Sequence, residues 1–200
     1  MEASASTRMT AVERREQLLD VTKALVGERG FHGVSIEAVA KKAGISRPIV
    51  YGHFADLRGL FEALVEREGA RALAQLDHVL PTDLASGDPR ELLFLSLRSY
   101  LEAVLGDPDT WRLVLMPPEG APETLHARIA EGRDAVVAQL AGAVGGGFAP
   151  GRGPPDPELT ARMLSTMADD AARMVLADPE RYPLERILGH TRWFLNQISD

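Results

Sequence analysis

Residues 47–53, RPIVYGH, bring a guanidinium, a branched aliphatic, a phenol and an imidazole into one short stretch. These groups suit a nucleic-acid duplex better than a small substrate. Arg47 is the candidate for a bidentate contact to guanine O6 and N7, and Ile49 can touch a thymine methyl. Tyr51 can reach the DNA backbone through its phenol while its ring packs on the protein. His53 can donate to a phosphate oxygen or pack beside Phe54. Gly52 reads no base but lets the backbone come close. Lys42 and Ser35 would stand near phosphate as well, Ser35 through the helix N-terminus that it caps.

The stretch that must position these groups is SIEAVAKKAGISRPIVYGHF, residues 35–54. Ser35 is an N-cap, since its hydroxyl can accept a backbone N–H of the first turn. Ile36, Val39 and Ala40 then recur at helical spacing. Gly44 ends that helix, because a left-handed residue costs least without a Cβ. Ser46 caps a second helix, and Pro48 falls in its first turn, where the missing N–H does no harm. Val50 and Phe54 point back at the first helix. Arg47, Pro48, Ile49, Gly52 and His53 are left on or beside an outer face. The spacing predicts a helix-turn-helix whose second helix fits the major groove.

Ser-Ile-x-x-Val-Ala-x-x-Ala-Gly-Ile-Ser-x-x-x-Val-Tyr-x-His-Phe closely resembles the DNA-binding signature of TetR/AcrR-type transcriptional regulators. The resemblance runs from about Val12 to about Leu64, roughly a quarter of the chain. One position departs from it. Members of that family usually carry a lysine three residues after the phenylalanine, for a phosphate; here Leu57 stands there and Arg58 follows. Either Arg58 substitutes, or the contact is missing. The resemblance further implies a small-molecule inducer site in the rest of the chain, and a dimer in which the last two helices pair as a four-helix bundle.

Composition bounds the alternatives. A chain of 200 residues can hold a small head on a larger body. With no cysteine, disulfides, thiolate metal sites and cysteine nucleophiles are excluded. No apolar run approaches the ~20 residues that span a bilayer. The N-terminus, MEASASTRMT, lacks the apolar core of a signal peptide. The expectation is a soluble, cytoplasmic protein without a membrane partner. The net charge of −7 divides unevenly: residues 1–60 hold nine Lys+Arg and seven Asp+Glu, residues 61–200 thirteen and twenty-two. A basic head on an acidic body leaves the head to meet phosphate. The five histidines show no metal-ligand spacing. Asp169-Asp170 could hold a metal, but paired carboxylates on a helix more often form a solvated edge. Gly145-Gly146-Gly147 reads as a linker. No nucleophile–base pair or cofactor fingerprint is present, so the reading carries no enzyme, cofactor or metal.

Along the chain, Arg8 sits in a polar arm that could reach a phosphate. Thr10 and Glu13 form a capping box, and Val12, Leu18, Leu19, Val21, Thr22 and Leu25 supply the buried side of the first helix. Asp56 caps a long helix to about Leu80, ended by Pro81 and spanning roughly 35 Å. Arg90–Leu105 is apolar on most sides and belongs inside a bundle. Helices over Asp107–Leu115, Glu123–Val144, Pro157–Ala177 and Glu180–Ile198 follow, with a Gly/Pro-rich loop at residues 142–157. The domain reading is an arm and helix-turn-helix domain over residues 1–56, then a helical ligand-binding and dimerisation domain over residues 57–200.

Phe94, Tyr100, Trp111, Met116, Met163 and Met167 lie on central helices of the body. Aromatics and methionines on facing helices can line an adaptable apolar pocket, though they also serve as plain core. The two closing helices carry more apolar surface than one bundle face needs. Leu164, Ala168, Ala171, Val175, Thr191, Phe194 and Leu195 are therefore the candidates for an isologous dimer surface. Together these features describe an all-α protein of about nine helices. A three-helix head is joined by a long helix to a helical bundle. The function read from it is a homodimeric transcriptional regulator, a repressor released by a small effector from a near-palindromic duplex operator. Its rivals are an activator, a ligand-independent DNA-binding protein, and an enzyme with the head as an appendage.

Overall fold

The computed structural model describes residues 9–77, 79–80, 84–85, 87–148 and 153–197. Arg8, Pro81, Ile198 and the centre of the Gly/Pro-rich loop, residues 149–152, lie outside them. Among the described residues there are nine α-helices, one 3-10 turn and no strand. They gather into two compact units, Met1–Arg67 with Pro118–His126, and Glu68–Pro117 with Ala127–Asp200.

In the first unit, α1 (Ala11–Arg29) opens on the expected capping box. The Glu13 N–H donates to Thr10 Oγ1 at 3.2 Å, and the Thr10 N–H donates to Glu13 Oε2 at 2.7 Å. The bonds that the Glu13 carboxyl accepts, from the Thr10 N–H first and then from the Thr10 hydroxyl at 3.0 Å, hold it below its ordinary value. Leu18, Leu19, Thr22, Leu25 and Val26 are buried. Thr22 satisfies its hydroxyl on the Leu18 carbonyl at 2.7 Å, so it costs the core little. Val12, expected inside, is 72% exposed. At 3.6 residues per turn it stands about 80° from the centre of the buried arc. Gly30, at φ 67°, ends α1 and starts the 3-10 turn Phe31–Gly33. Helices α2 (Ile36–Ala43) and α3 (Arg47–Tyr51) follow, then α4 (Leu57–Leu76). Asp56 caps α4 by accepting the Gly59 N–H at 2.7 Å. Leu60 and Leu64 of α4 are fully buried, and Phe61 meets Phe31 edge-on at 5.0 Å. Burial on that scale contributes roughly 1.5–3 kcal/mol per side chain. Arg67 fastens α4 to α1 through Glu16 at 3.0 Å and Asp20 at 2.9 Å.

In the second unit, α5 (Pro89–Gly106) packs with α6 (Pro108–Leu115), α8 (Pro157–Ala177) and α9 (Leu184–Gln197). This is the interior position expected for the most apolar helix. Phe94, Leu101, Val104, Trp111, Ala172, Val175 and Leu188 belong to its core. A second cluster joins Val137, Leu140 and Val144 of α7 (Glu123–Gly146) to Ala161 of α8. Three boundaries differ from expectation, the first being α7, which runs on to Gly146 through two of the glycines read as a linker. Helix α4 ends at Leu76, four residues early, in a turn where the Val79 and Leu80 N–H groups both reach the Leu76 carbonyl. Helix α9 begins at Leu184 rather than Glu180, because Pro183 cannot donate within a helix interior and an Asp178-capped turn precedes it.

Candidate nucleic-acid interface

The helix-turn-helix geometry is set by three small devices. Ser35 Oγ accepts the Ala38 N–H at 3.1 Å and starts α2. Gly44 takes the left-handed conformation at φ 70°, ψ 30°, and the Ile45 N–H closes back on the Ala40 carbonyl at 3.0 Å. A side chain at that φ is strained, so glycine is required there. Val50, with no exposed surface, and Phe54 then anchor the second helix inward.

With Val50 inward, Arg47, Pro48, Ile49, Tyr51 and Gly52 are exposed and His53 is half-buried. Ser46 stands at the N-cap but makes no side-chain cap bond. The reason is local: Pro48 has no N–H, and the Ile49 N–H donates to the Ser46 carbonyl at 3.0 Å instead. The exposed hydroxyl is available to another acceptor or donor. Gly52 is right-handed helical at φ −67°, so its small size matters here rather than its backbone freedom.

The cations of this surface mostly have carboxylate neighbours. Lys42 pairs with Glu28, whose carboxyl that bond holds below its ordinary value. Arg47 lies 3.9 Å from Glu37, and Arg58 donates to Glu62 at 2.8 Å one turn along α4. All three pairs are largely solvent-exposed. Such pairs contribute about 0–1 kcal/mol, so an incoming phosphate can displace the carboxylate at little cost.

Two features of the first unit were not read from the sequence. Arg15 donates to the His53 carbonyl at 3.1 Å and lies 4.4 Å over the Phe54 ring. Its place on α1, 38 residues from its partner, left no local signal. Residues 118–126 also belong to this unit, where Glu119 accepts the Phe31 N–H at 3.3 Å. Gly120, at φ 76°, lets that segment close on His32; a Cβ there would fall 2.3 Å from His32 Nε2. The Pro-Pro-Glu-Gly run at 117–120 signals a turn, but not what the turn touches.

The second unit brings together part of the predicted pocket set. Tyr100 and Trp111 meet edge-on at 5.2 Å, with Phe94 in the same cluster and Met116 packed against it. Polar groups thread the region. The Trp111 Nε1–H donates to Gln75 at 2.7 Å, and Tyr100 donates to Asp169 at 3.1 Å. Burial, then the Asp169 carboxylate, push the Tyr100 phenol well above its ordinary value. Met163 and Met167 do not join this group: they are 60% and 57% exposed. With Leu159, 55% exposed, they form an i, i+4, i+8 stripe on the outer face of α8. The dimer set divides too. Ala171 and Val175 are core residues, on the inward arc with Ala172 and Leu176, and so cannot face a partner. Leu164 packs partly buried beside α7 residues, and Ala168 and Leu195 pack against the main core. Thr191 is half-buried. Phe194 is exposed on α9, as is its neighbour Trp193.

A left-handed glycine turn between two short helices, with an exposed Arg-Pro-Ile-x-Tyr face on the second, defines a helix-turn-helix protein of the DNA-binding class. Residues 18–64 match the family model for bacterial regulatory proteins of the tetR family. The transcriptional activator FasR of Mycolicibacterium smegmatis is 27% identical over 107 residues, 54% of this chain and 48% of FasR. The transcriptional regulator BetI of Yersinia pestis is 40% identical over 80 residues, 40% of each chain. The chain thus spans less than half the length of the curated relatives it matches. Among solved structures, a TetR-like transcriptional regulator from Rhodococcus sp. RHA1 is 25% identical, with a TM-score of 0.72 over 96% of this chain and 100% of its own. FadR of Bacillus subtilis, crystallised in complex with stearoyl-CoA, shares the fold at 16% identity and a TM-score of 0.66, over 90% of this chain and 96% of its own. Residues 18–64 thus carry the DNA-binding domain of the tetR family of bacterial regulatory proteins, and the chain as a whole resembles a TetR-like regulator in fold. No helix among the described residues is long and apolar enough to cross a membrane.

Proposed function

We propose that this protein regulates transcription by binding a near-palindromic DNA operator as a homodimer, and that a small apolar effector releases it. The observation that carries the reading is the exposed Arg47–Tyr51 face, held outward by the fully buried Val50 behind it. In this reading Arg47 and Ile49 meet base edges. Ser35, Lys42, Ser46, Tyr51, His53 and Arg58 meet the backbone, and Pro48 and Gly52 allow close approach. The dimer is supported by the exposed apolar residues of α8 and α9, which a second copy would cover. The arm and helix-turn-helix of residues 1–56 would read DNA, and residues 57–200 would bind effector and partner.

The effector reading is supported by the aromatic group around Tyr100 and Trp111, and by stearoyl-CoA bound to FadR, a protein of the same fold. Release requires that effector favour a conformation in which the recognition helices no longer match successive grooves, ~34–36 Å apart. A coupling of ~1–3 kcal/mol gives 5–150-fold weaker DNA binding, and operator DNA must weaken effector binding by the same factor. Activation is the second reading, supported by the name of FasR. The test is selection of duplexes from a random-sequence pool. The result expected is an inverted repeat; a pool without any enriched sequence overturns the proposal.

A further inference from the structure

Arg47, Lys42, Arg58 and Arg67 of the first unit each have a carboxylate neighbour. Arg15 has none among the described residues. Its guanidinium is half-buried and committed on two sides. One nitrogen donates to the His53 carbonyl at 3.1 Å, and the guanidinium Cζ lies over the Phe54 ring, 4.4 Å from its centre. Those two residues are where the chain leaves the recognition helix. The His53 and Phe54 N–H groups both turn back to the Val50 carbonyl at 3.0 Å, while the His53 carbonyl accepts from Arg15. A charged, planar donor gripping that carbonyl and stacking on the next ring fixes both position and rotation of the helix end.

From this we infer that Arg15 is a positioning residue for DNA recognition: it acts through His53 and Phe54 to set the orientation of the recognition helix, without touching DNA itself. The inference rests on the DNA-reading assignment of the first unit. It follows that the register of Arg47 and Ile49 against the bases depends on a residue of α1 that lies outside the helix-turn-helix. A guanidinium already spent on a carbonyl and a ring displaces no phosphate counterion, so its loss should blur sequence discrimination and leave the salt dependence of binding alone. A residue contacting phosphate does the reverse: each such contact contributes about 0.9 to the slope of log affinity against log salt.

The test uses the full chain, a duplex that the parent selects from a random pool, and a scrambled duplex of the same composition. Arg15→Met should keep the helical circular dichroism of the parent. It should bind the selected duplex at least tenfold more weakly and the scrambled duplex nearly as well, with an unchanged salt slope. Arg15→Lys keeps a donor and a cation over the ring and should recover binding to within about threefold. Phe54→Leu tests the same contact from the other side. It removes the ring, and in its background Arg15→Lys and Arg15→Met should differ less than in the parent, because contacting residues are not additive. Arg15→Met with parental discrimination, a salt slope shallower by about one, or full additivity with Phe54→Leu would each overturn the inference. A parent that enriches no duplex would instead overturn the DNA-reading assignment on which it rests.

Discussion

If the chain pairs through α8 and α9 as proposed, Met163→Glu should separate that dimer into folded monomers. Met163 is 60% exposed, so the substitution removes little from the core, and surface changes of this kind usually stay within about ±0.5 kcal/mol of fold stability. Leu159, Met163 and Met167 on α8, with Trp193 and Phe194 on α9, range from 44% to 60% exposed. Covering a side chain already half-buried gains about 1 kcal/mol, half of its full burial value. Two-fold symmetry counts the five residues twice, giving a gross gain of about 10 kcal/mol against an association cost of ~4–15 kcal/mol. That margin is narrow. Two buried, unpaired carboxylates cost several kcal/mol each and reverse it. Sedimentation velocity at about 10 µM should therefore show a parent dimer and a monomeric variant with nearly the parental melting temperature. Ala171→Glu is the contrasting change: Ala171 is a core residue, so that variant should lose its fold. A Met163→Glu protein that sediments as the parental dimer would refute the assignment of this face.

Three further outcomes follow from the geometry. Arg47→Ala should cost about 1–3 kcal/mol on the selected operator and relax the choice at one base, whereas His53→Ala should weaken all duplexes alike; titrations against single-base variants distinguish them. Ser35→Ala removes the acceptor of the Ala38 N–H and should lower stability by ~1 kcal/mol in a denaturant titration. Glu91 on α5 holds Arg192 on α9 through two bonds of 2.9 and 3.0 Å, and that bonding lowers its carboxyl from 4.5. A depressed carboxyl stabilises the fold above its unfolded value and loses that contribution as pH falls through the folded one. Melts of Glu91→Gln should fall below the parent at pH 7 and converge with it toward pH 3.

Much of the head was legible because its determinants are local. Ser35, Gly44 and Pro48 act on backbone within a few residues, and Val50 and Phe54 declare their face by spacing alone. Helices α5, α6 and α8 were legible for the same reason, through the aspartate and proline at their starts. What escaped depends on distance in sequence or on helix phase. Arg15 meets His53 across 38 residues, and no periodicity signals such a contact. Met163 and Met167 read as pocket residues because methionine is apolar, yet apolarity does not say which side of α8 is inside. Ala171 and Val175 failed in the opposite sense, since a helix with two apolar faces offers two ways to assign them. Ser46 was read as a capping residue from its type, but the proline two positions on had removed the donor that a cap would use.

If the Arg47–Tyr51 face reads DNA sequence, discrimination between duplexes measures that directly. Fluorescence anisotropy of a labelled, selected duplex and of its scrambled counterpart, each titrated with the parent protein at several salt concentrations, gives both affinity and specificity. Specific readers hold their site about 10³-fold or more tighter than non-specific DNA, with affinities that fall linearly in log salt. The predicted result is a discrimination of at least that size, at two chains per duplex. Equal affinity for both duplexes, or binding indifferent to salt, would contradict it.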